Sequence, residues 1–205
     1  HILFNFTDNP WGGGNQFLKA LRDYLVKINV YEEDYTKSDV ILLNSYNNFE
    51  KALKIKLKYP HIKFIHRIDG PIYTYRDDGI FLDKVIFKLN HILSSGTIFQ
   101  SNYTKDASIN RGIDLYNQLD KVIINAPNPK IFYKKDKKVL GDKIKLIATS
   151  WSGNIKKGFD VYQWLDYNLD FNKYEMTFVG NSPIKFKNII LLSPINSNNL
   201  SNELR

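Results

Sequence analysis

Short apolar runs alternate with helix-period stretches along this chain, and that alternation restricts its fold more than any other feature. Residues 1–6, 39–44, 63–68, 96–100 and 122–125 have the length and the apolar content of buried strands. Between the first two, Phe17, Leu18, Leu21, Leu25 and Ile28 share one helical face. Residues 49–59 form a basic amphipathic helix stopped by Pro60, and further helices are expected at 81–92 and 104–111. Parallel strands need long crossovers, and crossover helices cover the sheet faces, so this order predicts an α/β fold with a parallel, doubly wound sheet. Residues 130–141 break the pattern, being polar, basic and without an apolar period. The alternation then restarts with a strand at 144–148, a helix at 158–168, strands at 175–179 and 189–192, and a helix from Ser197. The expected organisation is a Rossmann-like domain over 1–129, a basic linker over 130–143 and a partial second Rossmann-like domain over 144–205. Three parallel strands leave an open edge, so the second domain reads as truncated.

Composition removes several chemistries. The chain has 205 residues and no cysteine, which excludes disulfide frameworks, thiolate metal sites and thiol nucleophiles. Hydrophobic content of 43% is ample for a core. No apolar run approaches the roughly 18 residues of a membrane span. Four scattered histidines (His1, His61, His66, His91) make no metal site, and no Ser/His/Asp spacing stands out. The formal charge of +8 admits nucleic acid, an anionic membrane or a phosphorylated ligand. Lys51, Lys54, Lys56 and Lys58 share one helix; Lys130, Lys134, Lys135, Lys137, Lys138, Lys143 and Lys145 crowd another segment. Neither cluster carries a nucleic-acid motif, and the aromatics fall at core-like periods rather than between the lysines.

Open α/β sheets bind ligands beyond the carboxyl ends of their strands. That rule selects residues 12–15, 45–47, 66–70, 101–103 and 125 in the first half, and 150–158 and 180–182 in the second. The stretch 144–162, IKLIATSWSGNIKKGFDVY, is the most informative of these. A strand, a glycine-containing loop and a helix start with two lysines suit a phosphate, because first-turn N–H groups lack partners and attract anions. The same residues also suit an ordinary βα unit whose lysines face water. Gly12–Gly14 permit either a tight turn or a ligand's close approach, and they do not spell GxGxxG. His66 and Arg67 alternate along a strand, so one points into the fold, and His66 reads as a structural or as a catalytic side chain. Asp69 either caps the turn at Gly70-Pro71 or acts as a base, and residues 101–103 also fit a helix N-cap.

In order and spacing, PWGGGNQFLKAL, DVILLNS, FIHRIDGP, FQSNYTKD, VIINAPNPKIF, LIATSWSGNIKKGFDVY and MTFVGNSP resemble nucleotide-sugar glycosyltransferases of the GT-B fold, close to the retaining group called family 4. The resemblance implies a GT-B-like pair of Rossmann-like domains and metal-independent transfer of a sugar, with retention, from a nucleoside diphosphate to a glycan, lipid or other hydroxyl acceptor. Lys157 matches the lysine that holds the donor diphosphate and Gly158 the glycine after it. Ser152 stands where many members carry an arginine, which leaves Lys156 or a group from elsewhere to supply the second charge; Asn154 completes the donor-phosphate set. Asn125-Ala126 replaces the usual Asn-Gly, and the family's acidic pair would lie beyond Arg205. The acceptor is expected against Gly13, Gly14, Asn15, Arg67 and Asn102, with His66 and Asp69 as candidate catalytic groups. The leaving phosphate itself can take the acceptor's proton. No cofactor beyond the donor sugar is implied. The expected setting is cytoplasmic, with peripheral membrane contact through the basic helix and no specific nucleic acid. Two rivals remain: a GT-B-like sugar-nucleotide epimerase, and a non-catalytic basic module that binds nucleic acid or an anionic membrane.

Overall fold

The computed structural model describes residues 1–9, 12–74, 76–116, 119–134 and 141–204. Pro10 and Trp11 of the glycine loop, and residues 135–140 of the basic linker with Lys135, Lys137 and Lys138, lie outside the described residues. The chain divides into two compact units, one of His1–Phe6 with Phe17–Ala126, the other of Thr7–Gln16 with Pro127–Arg205.

The first unit holds a parallel sheet in the order β1-β2-β3-β4-β5, formed by β1 (Ile2–Leu3), β2 (Val40–Asn44), β3 (Lys63–Ile68), β4 (Ser94–Phe99) and β5 (Leu119–Val122). The connecting helices are α1 (Gly13–Lys27, in this unit from Phe17 onward), α2 (Phe49–Lys58), α3 (Gly79–Leu93) and α4 (Asn102–Asn110). Ile41, Leu43 and Phe64 of the central strands pack with Ala52 and Ile55 of α2 and Leu89 and Leu93 of α3. Ile68, Ile72, Ile86, Phe99 and Ile113 form a second cluster towards the strands' carboxyl ends. Each buried Ile, Leu or Phe side chain among these contributes about 1.5–3 kcal/mol. Side chains alternate along a strand, so Arg67 points to the face opposite Phe64 and His66. There the Phe17 ring of α1 lies 4.7 Å from its guanidinium carbon, and the sheet thus carries helices on both faces.

The strands depart from expectation at both edges. β1 keeps only two of the six expected residues, because the Phe4 N–H turns back to the Ile2 carbonyl at 3.0 Å. β5 runs from Leu119 to Val122 rather than over 122–125, in register with Gly96–Phe99 of β4. An edge strand with one covered face need not be apolar throughout. Leu119 is exposed, as are Ile123 and Ile124 just beyond the strand.

The second unit pairs β6 (Ile144–Ser150), β7 (Tyr174–Gly180) and β8 (Ile190–Leu192) in parallel, in that order. Helices α5 (Phe159–Asn168) and α6 (Ser197–Glu203) accompany them. Phe159, Met176, Phe178 and Ile189 form its core. The buried Asp166 carboxylate of α5 accepts backbone N–H bonds from Lys187 at 2.7 Å and from Asn188 and Ile189 at 2.8 Å. That ties the β7–β8 connection to the helix. Burial pushes this carboxyl up, but the three donors outweigh it and hold it below the usual aspartate range.

Candidate functional site

In the first unit, four polar residues that close the strands converge on one arginine. Arg67, at the carboxyl end of β3, is 2% exposed. Its Nη1 donates to Asn44 at the end of β2 and to Asp69, while Nη2 donates to Asn125 Oδ1 at 2.9 Å and Gln100 Oε1 at 3.3 Å. Asn44 Nδ2 donates to the second Asp69 oxygen at 3.0 Å, and Asn125 Nδ2 to Gln100 Oε1 at 2.8 Å. A buried guanidinium costs several kcal/mol unless its charge and donors are met. Here one carboxylate and the Phe17 ring face the charge, and that carboxylate with three amide oxygens takes the four Nη hydrogens; Nε alone is left without a partner. The signal for Asn44 and Gln100 was present in the sequence: each is the polar residue that ends an apolar run at the ligand-binding end of a strand.

His66 lies beneath this network, fully buried. Its Nε2 is 2.7 Å from the Ser45 carbonyl oxygen and its Nδ1 is 3.3 Å from Asn90 Nδ2. Donating from Nε2 and accepting at Nδ1 requires the neutral ring. Burial is the main cause that lowers its pKa from 6.5 to about 4, against the opposing pull of the Ser45 carbonyl and Asp69. Ser45 has φ +51°, a left-handed value uncommon for serine, and its N–H donates to the Arg67 carbonyl at 2.8 Å. His66 and β3 therefore pin a strained residue next to Asn44. Of the two candidate catalytic side chains only Asp69, 34% exposed, reaches the surface.

The other expected acceptor residues fall into different surroundings. Asn102 is exposed at the first position of α4, whose N-cap is Ser101, accepting from the Thr104 N–H at 3.1 Å. Asn15 is buried, and its amide closes the glycine loop by accepting the Thr7 N–H at 3.2 Å and donating to the Thr7 carbonyl at 2.9 Å. Gly13 and Gly14 open α1, and a Cβ on either would meet no atom within 4 Å. Protein packing does not demand glycine there.

In the second unit, β6 leads into the expected donor-phosphate segment. Ser150 Oγ donates to the Ser152 carbonyl at 2.8 Å, and Ser152 Oγ accepts the Asn154 N–H at 3.2 Å. Asn154 Oδ1 accepts the Lys156 N–H at 2.9 Å, and its carbonyl accepts that of Lys157 at 2.9 Å. This local capture forms a separate 3-10 turn, Ile155–Lys157, so both lysines sit just before α5, which starts one residue after the expected 158. Gly158, at φ +83°, separates the turn from the helix. Lys156 and Lys157 are both exposed. The loop is braced from β7: the Asn181 N–H donates to the Ser150 carbonyl at 3.0 Å, and Asn181 Nδ2 to that of Trp151 at 2.6 Å. Gly180 (φ +136°) approaches so closely that a Cβ would lie 1.9 Å from the Ser150 oxygen.

No protein-family model matches the chain, and no curated protein matches it. Solved structures do. Anabaena HepE in complex with UDP-glucose aligns with a TM-score of 0.55 and 12% identity over 78% of this chain and 49% of its own. S. aureus MnaA with UDP aligns with a TM-score of 0.51 and 13% identity over 91% of this chain and 55% of its own. The fold is of the GT-B type. The chain spans about half the length of these structures, and at such identities the GT-B likeness describes its backbone alone.

Proposed function

We propose that this chain carries the acceptor side and part of the donor side of an enzyme that uses a nucleoside-diphosphate sugar, transferring the sugar to a hydroxyl acceptor with retention of configuration. The observation that carries this reading is the braced loop 150–158, which presents Lys156 and Lys157 just before the first turn of α5 on a GT-B backbone. As the sugar leaves, negative charge grows on the diphosphate. Lysine ammonium groups and first-turn N–H groups stabilise that charge without reorganising. Gly158 bares the backbone at the join, where a side chain would crowd a phosphate.

Asp69 is committed to Arg67 and Asn44, and His66 is sealed within the fold, so neither is well placed as a general base. This favours proton transfer from the acceptor hydroxyl to a leaving-phosphate oxygen. The new carbon–oxygen bond then forms on the face the diphosphate leaves, which retains the configuration.

The test is calorimetric titration of UDP, GDP and ADP, with their glucose derivatives, into the 205-residue chain. One nucleotide should bind, and Lys157→Ala should weaken it by about 1.5–3 kcal/mol, the range of a charge-assisted contact. Binding that ignores Lys157→Ala removes this loop from the site. Indifference to all three nucleotides, with steeply salt-dependent polynucleotide binding, would favour the basic-module reading instead.

A further inference from the structure

The Arg67 network also restricts the acceptor's chemistry, an argument that rests on the acceptor-side reading above. All the hydrogen-bonding capacity of the guanidinium turns inward: both Nη atoms are spent on Asn44, Asp69, Gln100 and Asn125, and Nε is buried without a partner. What the network leaves unspent is different in kind. Gln100 uses only its carbonyl oxygen, so both Nε2 hydrogens are available. Asn125, exposed, has one Nδ2 hydrogen left after Gln100. Each Asp69 oxygen accepts one bond and keeps a lone pair. Among the described residues the rim therefore offers amide donors beside a carboxylate acceptor, and no outward cation. Arg76, in the loop before α3, is itself paired with Asp78 at 3.0 and 3.1 Å.

We infer that Asp69, Gln100 and Asn125 form the recognition rim for an uncharged polyhydroxyl acceptor, with Arg67 as the positioning residue beneath. A sugar hydroxyl donates and accepts at once, which matches paired amide donors and carboxylate lone pairs. An acceptor carboxylate or phosphate has no hydrogen to give the Asp69 lone pairs, and the one cation of the network, Arg67, is already spent on Asp69 and turned inward. Arg67 touches no ligand; it fixes three side chains from separate strand ends in one geometry.

The experiment follows the side-chain amide NMR signals of Gln100 and Asn125 in the 205-residue chain, assigned by Gln100→Ala and Asn125→Ala. The probes are the methyl glycosides of glucose, galactose and N-acetylglucosamine, with methyl glucuronoside as the charged counterpart. At least one neutral glycoside should shift both signals saturably, with glucuronoside at least tenfold weaker. Arg67→Met, which keeps bulk against Phe17, should collapse both signals towards mobile amides and abolish the response, leaving β7 and β8 resonances in place. Silence towards all three neutral probes, an equal or stronger glucuronoside response, or ordered Gln100 and Asn125 amides in Arg67→Met would each overturn the inference. UDP-glucose is titrated separately and read at the backbone amides of Lys156 and Lys157. A response confined to the rim would sink the donor reading and spare this one; a response confined to the lysines would do the reverse.

Discussion

Acidification should destabilise the first unit through one buried histidine, by an amount that follows from its surroundings. In the folded chain the His66 pKa is about 4, against roughly 6.5 when unfolded. The neutral ring is the form that fits, donating to Ser45 and accepting from Asn90. Between those pKa values the unfolded chain holds one more proton than the folded one at this position, so unfolding free energy rises with pH. The contribution is complete above about pH 6.5, falls by about 1.4 kcal/mol per pH unit below it, and is exhausted near pH 4. The whole effect is of order 3 kcal/mol. His66→Gln keeps a donor for Ser45 and removes the titration. Trp151 and Trp164 belong to the second unit, so their fluorescence does not report on this one. Urea denaturation followed by far-UV circular dichroism from pH 3.5 to 7.5 is the suitable assay. Subtracting the variant's profile cancels most of the carboxylate contributions. The difference should slope across pH 4–6.5 and flatten outside it; a difference flat throughout refutes the claim that His66 is held neutral by burial.

Three further outcomes follow from single contacts. Asp166→Asn should destabilise the second unit by about 2–3 kcal/mol, because charge-assisted acceptors for three N–H groups weaken together. The Asp166 carboxyl is held low when folded, so that stabilisation is present above about pH 4, the unfolded value, and fades as pH falls through the folded one; urea midpoints of the variant should respond less to acid. Gly180→Ala should cost at least about 3 kcal/mol, since its Cβ would overlap the Ser150 oxygen in a backbone region closed to alanine, and thermal denaturation measures it. Asp69→Ala should cost about 3 kcal/mol, near the low end for breaking a buried ion pair because the carboxylate is one-third exposed; a change under about 1 kcal/mol would mean that amides alone satisfy Arg67.

The elements most legible in the sequence are those covered on both sides. β2, β3 and α2 fall within a residue of their expected limits, because the central strands pack against helices: β2 reads as an apolar run, and β3 keeps Phe64, Ile65 and Ile68 around His66 and Arg67. β5 lacks that cover, and β1, though Ile2 and Leu3 are both buried, is cut short by the turn at Phe4. The 3-10 turn at Ile155–Lys157 was hidden for another reason: Asn154 closes it through its own side chain, a local contact that no apolar pattern records. The GT-B fold expected from the order of the motifs is the one found. The site was legible as a set of strand ends, but its wiring was not. Asn44, Asp69, Gln100 and Asn125 lie up to 81 positions apart (125 − 44), and only the strand order brings their ends around Arg67. Asn15 and Asn102 looked alike as polar loop residues. One spends its amide within its own loop and the other is exposed at a helix start.

The most direct test of the account is titration of UDP into the isotope-labelled chain, read at every backbone amide. The account predicts saturable shifts centred on Ser152, Asn154, Lys156, Lys157 and the first turn of α5, lost in Lys157→Ala. Shifts confined to the lysine-rich face of α2, or no shift at millimolar UDP, would contradict it.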